Sequence, residues 1–371
     1  MKTERSELID LLKVGACILI VWHHLALYSP MAVVASEWFP ATEDFFLEHG
    51  LLAVQVFLVL GGYLNAKSLS RTLLDSNVHA TSRIWARYKR LAIPLFVALS
   101  FAVLTTALIR PFFDHSSLSA APTPWQVFAH VFFLQDVLFL EAFSAGVWYV
   151  AIDFQLFAMA IVSAWLAHAW QRSSSTGLVV RKALFLWAAL TLLSLFIWNL
   201  NPLGEIWGTY FLGAYGLGLC VGSWRYVNLR FSYFHLSLLI VFIGALAYAY
   251  HPRIRLAVAV ATALLLCLYE ARDCKPIDLL KASWLRNFSD ATYAIFLIHF
   301  GVSLLVSALV FNFWSENIPI NLMGLLVSFA MSVWLGRLIQ LHIESKPPSL
   351  KRLLQWVAIF AASSTAAMWL S

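Results

Sequence analysis

The chain has 371 residues, 61% of them hydrophobic and only 12% charged, against about 25% charged in a soluble domain. A mean hydropathy of +0.78, with 16 Trp and 28 Phe, excludes an ordinary soluble globule and indicates a polytopic membrane protein with aromatics at its interfaces. The net charge of +6 does not indicate nucleic acid, because Lys and Arg fall in short loops between apolar runs and not on one soluble face.

In chain order, MKTERSELIDLLK leads into an apolar run too long for a signal peptide and without an A-x-A-like cleavage site, so a retained first helix is expected. Runs of about 20 apolar residues cross the hydrocarbon core. They occur near 11–30, 48–67, 91–110, 147–169, 182–200, 205–223, 232–250, 254–270, 290–312, 319–340 and 352–370. The expected fold is all-α, a polytopic membrane helical bundle of about 10–11 transmembrane helices. Trp125–Leu140 is apolar but short, and reads as re-entrant or interfacial. Cys17, Cys220, Cys267 and Cys274 show neither CxxC nor metal-type spacing. Three of them lie in apolar runs, where small buried thiols are expected, and no metal site is expected.

Orientation follows from the basic residues. Placing the N-terminus in the cytoplasm puts Lys2, Arg5, Arg71, Arg83, Arg87, Lys89, Arg90, Arg172, Arg181, Lys182, Arg225, Arg230, Arg272 through Arg286 and Lys346 through Arg352 on the inner side. Only Arg110, Arg253 and Arg255 fall outside. The expected location is the cell inner (plasma) membrane, with lipids as partners and no nucleic acid.

Ionisable groups inside a bilayer are costly and face a cavity or a partner. In the first span, Asp10 and Lys13 share a face near the inner interface and are spaced to pair. Lys13 and His24 are about three turns apart, roughly 16 Å, on one face, while His23 points about 100° away. His23 fits an interfacial histidine donating to a backbone carbonyl. Lys13 fits equally a snorkelling lysine or a functional group. His24 is the candidate catalyst. The fourth span opens GVWYVAIDFQLF, which places Asp153 about one turn deep from the outer side. There it serves either as a helix N-terminal aspartate or as the carboxylate that orients a histidine for general acid/base work. The ninth span, with DATYAIFLIHF, carries Tyr293 and His299; a bond to a neighbouring helix is as good a reading of His299 as a functional one. Gly61–Gly62 permits close helix approach. RIWARYKRLAIP is the densest basic stretch, with Arg83, Arg87 and Arg90 at helical spacing before Pro94. Such a fork suits phosphates, and it equally satisfies the positive-inside rule.

Together these stretches resemble the membrane acyltransferase-3 family, whose members move acyl groups, mostly acetyl, onto sugars and other envelope molecules. DLLK followed by ten residues and His24 is similar to the family's D-G-L-R…H, with Lys13 in place of arginine. AVQVFLVLGGYL looks like G-V-D-x-F-F-x-x-S-G-F-L, with Gln55 replacing the acid and Gly61 the serine. RYKRLAIP is similar to R-x-x-R before I-P, at Arg87 and Arg90. WYVAIDFQLF parallels W-x-L-x-x-E-x-x-x-Y, with Trp148 and Asp153. SDATYAIFLIH resembles S-Y-x-x-Y-L-x-H, and IESKPP is a loose match, at Glu344, to the closing I-E-x-P.

The resemblance implies an acyltransferase-like transmembrane domain over 1–350, with 351–371 as an additional C-terminal transmembrane helix. It implies an O-acetyltransferase that takes acetyl-CoA at Arg87, Arg90 and Lys13. His24, oriented by Asp153, then acts as general base or is transiently acylated. Trp148, Tyr293 and His299 bind a glycan or other hydroxyl acceptor from the outer side. The rival reading is an exporter of a polysaccharide or lipid-linked glycan, in which the buried Lys, Asp and His residues form a path. The inverted halves with broken helices that many transporters show are not evident in the sequence.

Overall fold

The computed structural model of the 371-residue chain describes residues 7–74, 79–170, 176–227, 231–271 and 283–370. Lys2, Arg5, Arg172, Arg230, Arg272 and Cys274, used in the topology and thiol arguments, lie outside the described residues, as does the side chain of Arg71. The described residues form helices and no strand, the form expected where lipid offers the backbone no hydrogen bonds. Nine of the described helical segments are long and apolar enough to cross a membrane. The count of about eleven expected from the sequence included two more. The run at 205–223 forms a helix of 16 residues, Gly208–Ser223, about 24 Å long. It is cut short by a 3-10 turn at Pro202–Ile206 and another at Trp224–Tyr226. The last run forms the 20-residue helix Leu350–Trp369.

The chain divides into two compact units, one comprising 1–9, 54–87 and 152–278, the other 10–53, 88–151 and 279–371. In chain order the helices are α1 (Glu7–Tyr28), α2 (Pro30–Ala35), α3 (Pro40–His49), α4 (Ala53–Leu74), α5 (Ala80–Ile109), α6 (Pro124–Val131) and α7 (Val147–Ala169). There follow α8 (Thr176–Phe196), α9 (Gly208–Ser223), α10 (Tyr233–Tyr250), α11 (Ile254–Ala271), α12 (Ser283–Trp314), α13 (Ile318–Ile339) and α14 (Leu350–Trp369).

The first unit holds α4, α8 to α11, most of α7 and the start of α5. Its tightest seam is α4 on α9. A Cβ at Gly62 would lie 1.9 Å from the Tyr215 carbonyl oxygen, one at Gly218 2.0 Å from that of Val59, and one at Gly222 2.4 Å from that of Tyr63. The two backbones therefore touch, as small residues allow in lipid-embedded helices. That approach carries Tyr63 and Lys67 of α4 to the carboxylate of Glu270 on α11, where Arg225 also lies 3.5 Å away.

The second unit holds α1 to α3, α6, α12 to α14 and the longer part of α5. Helix α1 runs along α12, stitched by hydrogen bonds: Ser289 Oγ donates to Asp10 Oδ1 at 2.6 Å, and the Cys17 thiol donates to the Thr292 carbonyl at 3.6 Å. Further along, His24 meets His299 at 2.7 Å and Ser29 meets Ser307 at 3.0 Å. Each polar side chain on this seam finds a polar group, which is the condition for burying it in lipid. Ile109, Phe113, Phe300, Leu304 and Ala308 form an apolar cluster beside it.

Residues 110–146 contain the eight-residue α6, too short to span, as expected for this stretch. A capping box between Thr123 and Gln126 starts α6. His130 is fully buried: its Nδ1–H donates to the Gln126 carbonyl at 2.8 Å, and its Nε2 accepts from the Phe143 N–H at 3.2 Å. Burial pushes this imidazole down to about 4. The segment ends at Gly146, whose φ is +82°.

Candidate active site

His24 and His299 come together in the second unit, on α1 and α12. Both are buried, His24 5% exposed and His299 1%. Their ring planes lie within 12° of each other with centroids 4.9 Å apart, and Nδ1 of His24 is 2.7 Å from Nε2 of His299. The proton positions follow from the partners. His299 Nδ1 lies 2.5 Å from the Phe296 carbonyl oxygen, which only accepts. In a neutral ring that proton leaves His299 Nε2 with a lone pair. Two lone pairs cannot face each other at 2.7 Å, so His24 Nδ1 carries a proton and donates it to His299. Neutral His24 then has an unprotonated Nε2. That is the nitrogen needed by a general base or a nucleophile.

The rest of the surroundings are aromatic. Tyr28, one turn beyond His24, has its ring 5.7 Å away, and Phe296 has its ring 6.4 Å away. His23 has its ring 5.5 Å from that of His24, and its Nδ1–H donates to the Phe46 carbonyl at 2.8 Å, the backbone bond expected for it.

Asp153 belongs to the first unit, and its carboxylate accepts from the Arg87 guanidinium at 2.6 Å. Arg87 lies one turn before Leu91, where the apolar run of α5 begins, and Asp153 lies in the second turn of α7. Asp153 was expected to orient His24; the group that meets His24 Nδ1 is His299, because α1 and α12 run side by side. Arg87, expected as a bare phosphate ligand, already has a carboxylate and also covers the Phe157 ring at 5.3 Å.

Arg90 is exposed and Lys13 half-buried, and both lie within electrostatic reach of Glu344 in the second unit. Glu344 sits in the π turn Gln340–Glu344 that ends α13, and its Oε2 is buried without a hydrogen-bond partner among the described residues. Tyr293 donates its hydroxyl to the Leu91 carbonyl at 2.9 Å, so this predicted acceptor ligand ties α12 to α5. Trp148 packs edge-on to Tyr149 at 6.1 Å. Sequence reasoning missed Phe296, whose carbonyl sets the tautomers, and Ser289, which holds Asp10. The i to i+3 spacing of Phe296 and His299 was the available signal for the first.

A family profile described as an acyltransferase domain matches residues 7–337, nearly the whole chain. The chain belongs to the acyltransferase 3 family. This membrane acyltransferase also matches a curated relative, the regulator of hypoxia-inducible factor 1 of Caenorhabditis elegans, at 27% identity over 184 residues. The match covers 45% of this chain and 36% of that protein, so the chain answers to well under two thirds of the relative's length. No solved structure matches the acyltransferase. The family match takes in Asp10, Lys13, His24, Arg87, Arg90, Trp148, Asp153, Tyr293 and His299, and it ends before Glu344.

Proposed function

We propose that this acyltransferase moves an acyl group, acetyl, from acyl-CoA supplied at the cytoplasmic, basic end of the bundle. The acceptor is a hydroxyl of a sugar, polysaccharide or lipid-linked glycan reached from the outer side, and the enzyme works in the cell inner membrane. The observation that carries the reading is the hydrogen-bond chain from the Phe296 carbonyl through His299 to His24, which leaves a lone pair on His24 Nε2. Two catalytic routes stay open. In one, His24 Nε2 takes the proton of the acceptor hydroxyl as its oxygen attacks the thioester carbonyl, and then returns it to the departing thiolate. In the other, the acyl group rests on Nε2 before the hydroxyl takes it. In both, the acyl–sulfur bond breaks, an acyl–oxygen bond forms and the free thiol leaves. His299 accepts from His24 Nδ1–H, so it holds the ring in place and stabilises the positive charge that develops there.

For the donor's phosphates we propose Arg90, Lys13 and Arg87. Exposed Arg90 is open to a phosphate. Asp153 already accepts from Arg87, so phosphate binding at Arg87 competes with this carboxylate. For the acceptor side we propose Trp148; Tyr293, bound to the Leu91 carbonyl beside Arg90, ties α12 to α5.

Membranes given radiolabelled acetyl-CoA test the proposal. His24→Ala is expected to abolish label transfer, and transfer at the wild-type rate would remove His24 from the chemistry. Arg90→Ala is expected to raise the donor KM about tenfold, the loss of one charge-assisted contact; an unaltered KM would remove the phosphate role.

A further inference from the structure

Gly146 opens α7 with a φ of +82°, a conformation that an L side chain adopts only with strain. The space is closed as well. A Cβ here would lie 2.5 Å from Cζ of Phe296 and 3.0 Å from its Cε2. The phenyl ring has little room to retreat. Phe296 is 7% exposed, and its ring is flanked by Tyr149 at 5.7 Å, His299 at 5.9 Å and His24 at 6.4 Å. The same residue supplies the carbonyl that keeps the His299 proton on Nδ1. Displacing the ring therefore shifts the acceptor on which both tautomers depend. The turn that delivers Gly146 is itself pinned three residues earlier, where the Phe143 N–H donates to buried His130.

We propose that Gly146 is a positioning residue: its bare α-carbon seats the Phe296 ring, so that the Phe296 carbonyl, His299 and His24 hold the arrangement that leaves His24 Nε2 unprotonated. The proposal rests on the role given to His24 above. It extends the reacting group to a three-part support, the turn at 146, the ring at 296 and the imidazole at 299, none of which needs to touch substrate.

The test uses the full chain in lipid nanodiscs and reads two quantities. The first is transfer kinetics from labelled acetyl-CoA. Gly146→Ala is expected to lower kcat on the order of 10- to 100-fold, the loss that follows a misplacement near 1 Å, with the donor KM held within about twofold. In a Phe296→Leu background, where the ring is absent, the same Cβ is expected to cost less than about threefold, the non-additivity of two groups in contact. The second reading needs no turnover: diethyl pyrocarbonate modifies neutral imidazole nitrogens that bear a lone pair, and mass spectrometry counts the label on His24. Labelling of His24 is expected to fall in Gly146→Ala. Phe296→Leu alone, which leaves the turn intact, is expected to lower both kcat and His24 labelling, and it serves if Gly146→Ala does not accumulate. The proposal is overturned if either single variant keeps wild-type kcat and labelling, or if the added Cβ costs as much without the ring as with it. Full transfer by His24→Ala would instead defeat the catalytic reading, while the labelling still decides whether Gly146 sets the imidazole pair.

Discussion

Acid is expected to loosen this protein through His130, a residue outside both the spans and the reaction. Its imidazole is fully buried, stacked on Phe143 with ring centroids 4.3 Å apart. One nitrogen donates to the Gln126 carbonyl and the other accepts from the Phe143 N–H. A second proton would turn that acceptor into a donor facing a donor. Burial accordingly lowers the folded value from 6.5 to about 4, while the unfolded chain keeps the ordinary one. Between those values the unfolded state binds a proton that the folded state refuses, so stability falls as pH drops from 6.5 towards 4 and then levels off. At 1.36 kcal/mol for each pH unit, the full loss is about 3 kcal/mol. Spread over a chain of this length, that is a fall of roughly 4 °C in melting temperature. The assay is thermal unfolding in detergent at pH 7.5, 6, 5 and 4, with wild type beside His130→Gln. The variant is expected to start lower, having lost one of the two bonds, and to show a shallower slope with pH. Parallel slopes for the two proteins would refute the reasoning, because every other titrating group is common to both.

Three further outcomes are expected. Gly218→Ala places a methyl group 2.0 Å from the Val59 carbonyl oxygen; overpacking of this kind costs about 1–3 kcal/mol, visible as a lower melting temperature and a smaller folded yield than for Gly15→Ala, where a Cβ meets nothing within 4 Å. Asp153→Ala strands a partly buried guanidinium, so it is expected to destabilise more than the Arg87→Ala/Asp153→Ala double variant, as measured by denaturation in a double-mutant cycle. Glu270→Gln weakens the shared anchor of Lys67, Arg225 and Tyr63; a lower melting temperature with an unchanged donor KM would mark that cluster as structural, and a raised KM would show that it reaches the donor.

How much of this was legible in the sequence differs from level to level. Lipid as solvent makes helix the cheapest way to satisfy the backbone, so apolar runs located the helices without any tertiary information. His24 stood out for a related reason: an imidazole deep in an apolar run is costly unless something uses it. The run at 205–223 forms a helix, as expected, but one of 16 residues, because hydropathy counts apolar residues and is blind to where a helix begins and ends. The Arg87 partner of Asp153 was not legible, because spacing along one helix says nothing about the neighbour it meets.

By itself the sequence determined the class of solvent, the helices and the identity of the rare ionisable residues, since all of these depend on local composition and period. Only the tertiary structure decided the partners: His299 for His24, Arg87 for Asp153, Glu270 for Lys67, and Gly146 for the Phe296 ring. Hydrogen bonds between helices join residues as far apart as 10 and 289, and which pairs meet is set by how whole helices pack. The tautomer of His24 follows from that packing, because it is chosen by the groups that face the ring.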